Sequence, residues 1–170
     1  IGYGDFHTYD RFITERTFGA KKRILLCPQS KKFDPATYPV IRTPDQKIWI
    51  VVSDNADIDY ETSYQQSYLV LVANFTAQII EFTTTTLASG QAGDPVENVL
   101  ATSVCDLERY SGDRSDVFDT VSYGIYKIVL PGGVTVDTNH EIRVNSIDYE
   151  VQDAAPELLT TAVRALRRAA

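Results

Sequence analysis

His7 and His140 are the only two histidines in the chain, and neither stands near a partner that would make it chemical. No second His, no Cys and no paired carboxylate lies at a ligand spacing from either, so a zinc site would have to be assembled by the fold. His140 falls in Asp137-Thr138-Asn139-His140-Glu141, a turn-forming stretch in which a solvated imidazole is expected. The acidic run Asp54, Asp57, Asp59 and Glu61 has the density of a calcium loop. An EF-hand loop requires Gly at its sixth position and Glu at its twelfth. Counted from Asn55, those places hold Tyr60 and Gln66, so the run is expected to be a solvated acidic loop. No GxSxG, P-loop or strand-following GxGxxG occurs. The expectation is a protein that is not an enzyme and carries no cofactor, metal or catalytic residue.

Cys27 and Cys105 form no CxxC and sit in the apolar runs ILLCP and TSVCDL. They read as two buried reduced thiols in a protein made inside the cell. The 170 residues carry a formal net charge of −7, which argues against gripping a phosphate backbone with Lys and Arg. Lys21-Lys22-Arg23 and Lys31-Lys32 are short and lack interleaved aromatics, so they read as solvated faces. No apolar run approaches the roughly 20 residues that a membrane-spanning helix needs, and no signal-peptide pattern opens the chain. Asn74-Phe75-Thr76 fits a glycosylation sequon and reads as strand-end sequence.

The elements that would position any site are mostly strands. KKRILLC (21–27) ends at Pro28, and TYPVIRTP is bracketed by prolines that confine it to an edge. KIWIVVS (47–53) is a continuous apolar run, as in a strand buried on both faces. SYLVLVANF (67–75), AQIIEFTTTTL (77–87), NVLATSVCDL (98–107) and VFDTVSYGIYKIVL (117–130) are further strands. Val134 and Val136 alternate with polar neighbours after the Pro131-Gly132-Gly133 turn. Ile142 and Val144, then Ile147, Tyr149 and Val151, alternate on either side of Asn145-Ser146, which is a hairpin signal. Leu158, Leu159, Ala162, Val163 and Leu166 share a helical face, although the adjacent threonines leave a final strand open. The fold class is therefore all-β, a small antiparallel β-barrel or sandwich with long loops. Its organisation is an N-terminal arm over 1–20, a barrel domain over 21–153, and a C-terminal amphipathic helix or final strand over 154–170.

Candidate contact residues follow from this layout. Tyr3, Phe6, Tyr9 and Phe12 could order the arm against a neighbour, and Arg164, Arg167 and Arg168 end a segment that could reach one. Two loops are flexible by composition and are candidate channel or contact loops. The first holds Ser89, Gly90, Gln91, Gly93 and Asp94, and the second Ser111, Gly112, Asp113 and Arg114.

Two stretches resemble a known family. TYPVIRTPDQKIWIVVSDNADIDYETSYQQSYLVL is similar to the central part of small neck proteins of tailed bacteriophages. YKIVLPGGVTVDTNHEIRVNSIDYEVQD is similar to their C-terminal signature, a Leu-Pro-Gly turn followed by a hairpin of the form dxIxvNGxxYeV. That hairpin stands here as His140 to Val151, with Ser146 where such hairpins carry Gly, and Ser disfavours the positive φ of a tight type I′ turn. The family is the head-closure, head-completion or stopper proteins of the head-to-tail connector, and the resemblance covers residues 37–72 and 125–153. It implies a β-barrel subunit of a homo-oligomeric ring, six- or twelve-fold, in the virion neck. Such a ring is assembled in the bacterial cytoplasm, contacts portal, adaptor and tail proteins, and passes DNA without reading its sequence. No membrane is involved. A tail terminator or other phage ring protein, or a monomeric ligand- or carbohydrate-binding β-module using some of the ten tyrosines, are the alternatives.

Overall fold

The computed structural model describes residues 5–7, 22–28, 32–54, 65–109 and 124–168, and every regular element among them is a strand. The strands are β1 (Asp5–His7), β2 (Lys22–Pro28), β3 (Val40–Arg42), β4 (Ile48–Ser53), β5 (Gln65–Ala73), β6 (Phe75–Thr86), β7 (Ala92–Arg109), β8 (Ile125–Pro131), β9 (His140–Val144), β10 (Ile147–Pro156) and β11 (Thr160–Arg167). The all-β expectation is met. The single barrel over 21–153 is not, because the chain divides into two units.

The first unit comprises residues 1–74 with 131–133 and 156–160. Its sheet has the order β1-β2-β5-β4-β3. The continuous apolar runs cause this separation. Ile48–Val51 pairs with Val70–Ala73, β2 pairs with the other edge of β5, and together they have a core of their own. That core contains Leu25, Cys27, Trp49, Val51, Tyr68, Val70 and Leu159. Trp49, Ile50 and Val51 are all buried in succession, as a strand covered on both faces requires. Tyr68 anchors the unit. Its ring stacks on Phe33 at 4.2 Å, its hydroxyl donates to the Phe33 carbonyl at 2.9 Å, and it accepts from the Phe33 N–H at 3.2 Å. β3 lies at the sheet edge, as its prolines dictate.

The second unit comprises residues 75–130, 134–155 and 161–170. Its strands close into a barrel in the order β10-β11-β8-β7-β6-β9. Inward-facing Ala77, Ile79, Cys105, Ile128, Leu130, Ile142, Val144, Tyr149, Val151, Val163 and Ala165 fill it. The β9–β10 hairpin pairs Ile147 with Val144 and Tyr149 with Ile142, the register that the sequence alternation calls for. Asn145 and Ser146 both take positive φ, 50° and 63°, so the tight turn that Ser146 disfavours is formed nonetheless. The barrel closes through this hairpin, and a wider turn would shift the register that carries its apolar face.

Residues 160–167 are strand, not helix. Thr160 and Thr161 are buried, and strand alternation sends Val163 and Ala165 inward with Arg164 outward. The Thr161 hydroxyl donates to the Val134 carbonyl at 3.0 Å, and Thr160 donates to Glu157 Oε2 at 2.7 Å. The strand takes its place in the barrel between β10 and β8. Residues 134–137 form no strand, yet Val136 is still in the barrel core.

Candidate functional site

The longest strands define the most conspicuous surface. β6 has 12 residues and β7 has 18, and they pair from Phe75–Cys105 out to Thr86–Ala92. β9 accompanies β6 only as far as Glu81, and β8 accompanies β7 only over residues 106–109. The remainder, residues 82–100, is an arm, two-stranded over residues 82–97, beginning where Phe82 pairs with Glu97. Its tip is a tight turn in which the Gly90 N–H donates to the Leu87 carbonyl and the Leu87 N–H donates to the Gln91 carbonyl, each at 2.8 Å. Gly90 takes φ 80°, the left-handed position that such a turn assigns to glycine. The arm exposes Phe82, Leu87, Val96, Val99 and Leu100, in an otherwise Thr-rich ribbon.

Arg143 fixes the arm at its root. Its guanidinium donates twice to Glu97, at 2.7 and 3.0 Å, and its Nε donates to Asp148 Oδ1 at 2.6 Å. Those bonds, from Glu97 first and Asp148 second, hold the guanidinium pKa above its already high value. A bidentate Arg–carboxylate fork has a fixed geometry, so it ties β7 at Glu97 to the β9–β10 hairpin.

A second cluster lies on the barrel wall. Glu141 is buried, forms an ion pair with Arg168, and leaves its Oε2 without a hydrogen-bond partner. Burial raises its pKa, and Arg168 only partly offsets this. His140 is buried rather than solvated, with Nδ1 accepting the Asp137 N–H at 3.1 Å. That bond assigns the proton to Nε2 in the neutral ring and makes the histidine a turn lock.

The first unit carries an open cleft of about 470 Å³, lined by Arg23, Gln46, Lys47, Ile48, Trp49, Val72, Ala73 and Asn74. Its lining offers two cations, an indole and two amides, but no carboxylate, thiol or imidazole, so it has binding groups without an acid–base pair. Gln46 stands at φ 66° in the β3–β4 turn, the position that Gly90 occupies in the arm. Asp45 shapes that turn by accepting from Thr43 and pairing with Lys47 at 2.9 Å, and its pKa falls to about 2. Among the described residues no group of three or more His, Cys, Asp and Glu could hold a metal ion. Cys27 and Cys105 are buried free thiols in the two separate cores, and burial pushes Cys105 up to about 12.

No family model matches the chain, and no curated protein matches it either.

The sequence-derived contact residues fare unequally. Ser89, Gly90 and Gln91 form the arm's tip, while Gly93 and Asp94 belong to β7 and are not loop. A Cβ at Gly93 would lie 2.8 Å from Thr85 Oγ1, so glycine here lets the strands approach and does not mark flexibility. Phe6 lies in β1, its backbone paired with Leu25. Tyr3, Tyr9 and Phe12 lie outside the described residues, as do Ser111, Gly112, Asp113 and Arg114. Arg164, Arg167 and Arg168 do not form one basic tip, because strand alternation puts Arg164 and Arg168 on the side opposite Arg167. Arg143 and Glu141 were not singled out from the sequence. Their only signal was position, as a charge at every second residue of a hairpin whose partner strand also carries charges.

Proposed function

We propose that this chain is a structural subunit of a tailed-phage neck, a head-closure ring protein that joins the portal side of the connector to the tail and continues the DNA channel. The observation that carries this reading is the hairpin from His140 to Val151. The segment most similar to the head-closure signature is also the strand pair that closes the barrel, through a type I′-like turn at Asn145-Ser146. The arm of residues 82–100 supports it, since an exposed apolar ribbon suits a subunit that is buried in an assembly. The net charge of −7 supports it as well, because an acidic subunit does not trap DNA in transit.

The alternatives lose their particular supports. The tail-terminator reading drew on a sheet with one flanking helix, and no helix occurs among the described residues. The carbohydrate-module reading drew on aromatic platforms; Tyr68 and Tyr149 are core residues and Trp49 shows the cleft only 7% of its surface, which leaves Tyr38 as the well-exposed tyrosine among the described residues.

The test is fractionation of particles from a phage that encodes this chain, assembled without tails. The reading predicts that the protein stays with DNA-filled heads and that heads lacking it leak their DNA. Recovery of the protein on free tails alone would refute it and favour the terminator.

A further inference from the structure

The arm has an edge that natural sheets rarely leave open. On one side of Phe82–Thr86 lies β7, and on the other lies no strand among the described residues. The Leu87 N–H points inward to Gln91, so strand alternation turns the N–H groups of Thr86, Thr84 and Phe82 to the open side. Edge strands are ordinarily blunted by charge, proline or a bulge. The outer edge of β7 is blunted in this way, carrying Asp94, Pro95 and the extra residues at two register shifts. The β6 edge reads Phe82-Thr83-Thr84-Thr85-Thr86, β-branched and aromatic with no charge, Gly or Pro. A lone two-stranded ribbon is also marginal in water, and this one exposes apolar side chains on both faces. Phe82 lies on one face and Val96 on the other, by the pairing of Phe82 with Glu97 and Thr83 with Val96.

We propose that the open β6 edge pairs antiparallel with the same edge of a second copy of this chain, so that two arms form one four-stranded sheet. The run is complementary to itself. With Thr84 on the two-fold axis facing the partner's Thr84, Phe82 faces the partner's Thr86 and Thr83 faces the partner's Thr85. Thr–Thr and aromatic–β-branched pairs are the favourable cross-strand combinations. The pairing ends there, because the next residue, Glu81, is already paired with His140 of β9, and within Phe82–Thr86 no charge opposes another. A foreign strand would be selected by pockets for its alternate side chains. The edge offers only threonines and one Phe, which suits a copy of itself better than a distinct peptide. The contact is isologous and two-fold, as self-pairing requires. It does not rest on the neck reading, which concerns heads and tails, whereas this inference concerns the protein alone in solution.

The experiment is sedimentation equilibrium of the wild type, Thr84→Lys and Thr84→Glu, alone and as an equimolar mixture of the two variants. Position 84 is exposed, so both variants keep the barrel, and far-ultraviolet circular dichroism checks this. The wild type is expected to be a concentration-dependent dimer. Each variant alone should lose the dimer, because like charges meet on the axis, and the Lys–Glu mixture should regain it. A wild type that stays monomeric throughout overturns the proposal, even if it binds another protein through the arm. Variants that dimerise like the wild type, or a mixture that does not recover the dimer, overturn it too.

Discussion

Among the described residues, Glu141 carries the one buried side-chain oxygen without a hydrogen-bond partner. Its carboxylate is buried with one oxygen unpartnered, and burial raises its pKa above the ordinary carboxyl value. A carboxyl raised in the folded state favours folding at low pH, and that contribution is lost as pH rises from the unfolded pKa through the folded one. Glu141→Gln keeps a hydrogen-bond acceptor for Arg168 and removes the charge. Urea unfolding of this variant is expected to show it more stable than wild type by about 1 kcal/mol at pH 7 and equal to it near pH 4. Ser146 is a second residue with a cost, because it holds φ 63° with a Cβ in place. Ser146→Gly should stabilise by about 0.5–1 kcal/mol, read as a higher urea midpoint with an unchanged slope. Neither cost was plain in the sequence. His140 looked like a solvated turn residue because DTNHE gives no hint that Asp137 would offer its backbone N–H to the ring.

At the scale of elements, two tight approaches hold the first unit. A Cβ at Gly132 would lie 2.9 Å from the Leu159 carbonyl oxygen, which already accepts the Gly132 N–H. Gly132→Ala must push backbone against backbone, and a loss of about 1–3 kcal/mol in thermal or urea unfolding is expected. Tyr68→Phe keeps the stack on Phe33 but removes both hydrogen bonds to it, at an expected cost of about 1–2 kcal/mol. Where alternation was strict, the elements were legible. The Ile142–Val151 hairpin and the buried KIWIVVS strand follow directly from spacing. Where a pattern fitted two periods it was not. Leu159, Val163 and Leu166 satisfy a helix while Val163 and Ala165 satisfy a strand, and the pairing of β11 between β10 and β8 decides between them. The start of β7 was hidden by Gly93 and Pro95, which break a strand pattern in sequence but sit at an edge and a close crossing in the fold.

For the whole molecule, the all-β reading follows from apolar runs and period-2 alternation between turns, but the division into two cores does not. The apolar runs of β4 and β5 announce burial without naming a partner, and the partner is decided by pairing across distant sequence. The same limit applies to the assembly. The arm's apolar residues are each unremarkable in sequence, and they become a surface only because β8 and β9 stop short of them. The proposed role makes this acidic chain one subunit of a ring. The decisive test of that role is native mass measurement of the protein mixed with portal and adaptor proteins of a phage that encodes it. The prediction is a weakly associating species alone and a complex with six or twelve copies when the partners are present. A protein that never joins the portal assembly at any ratio would contradict it.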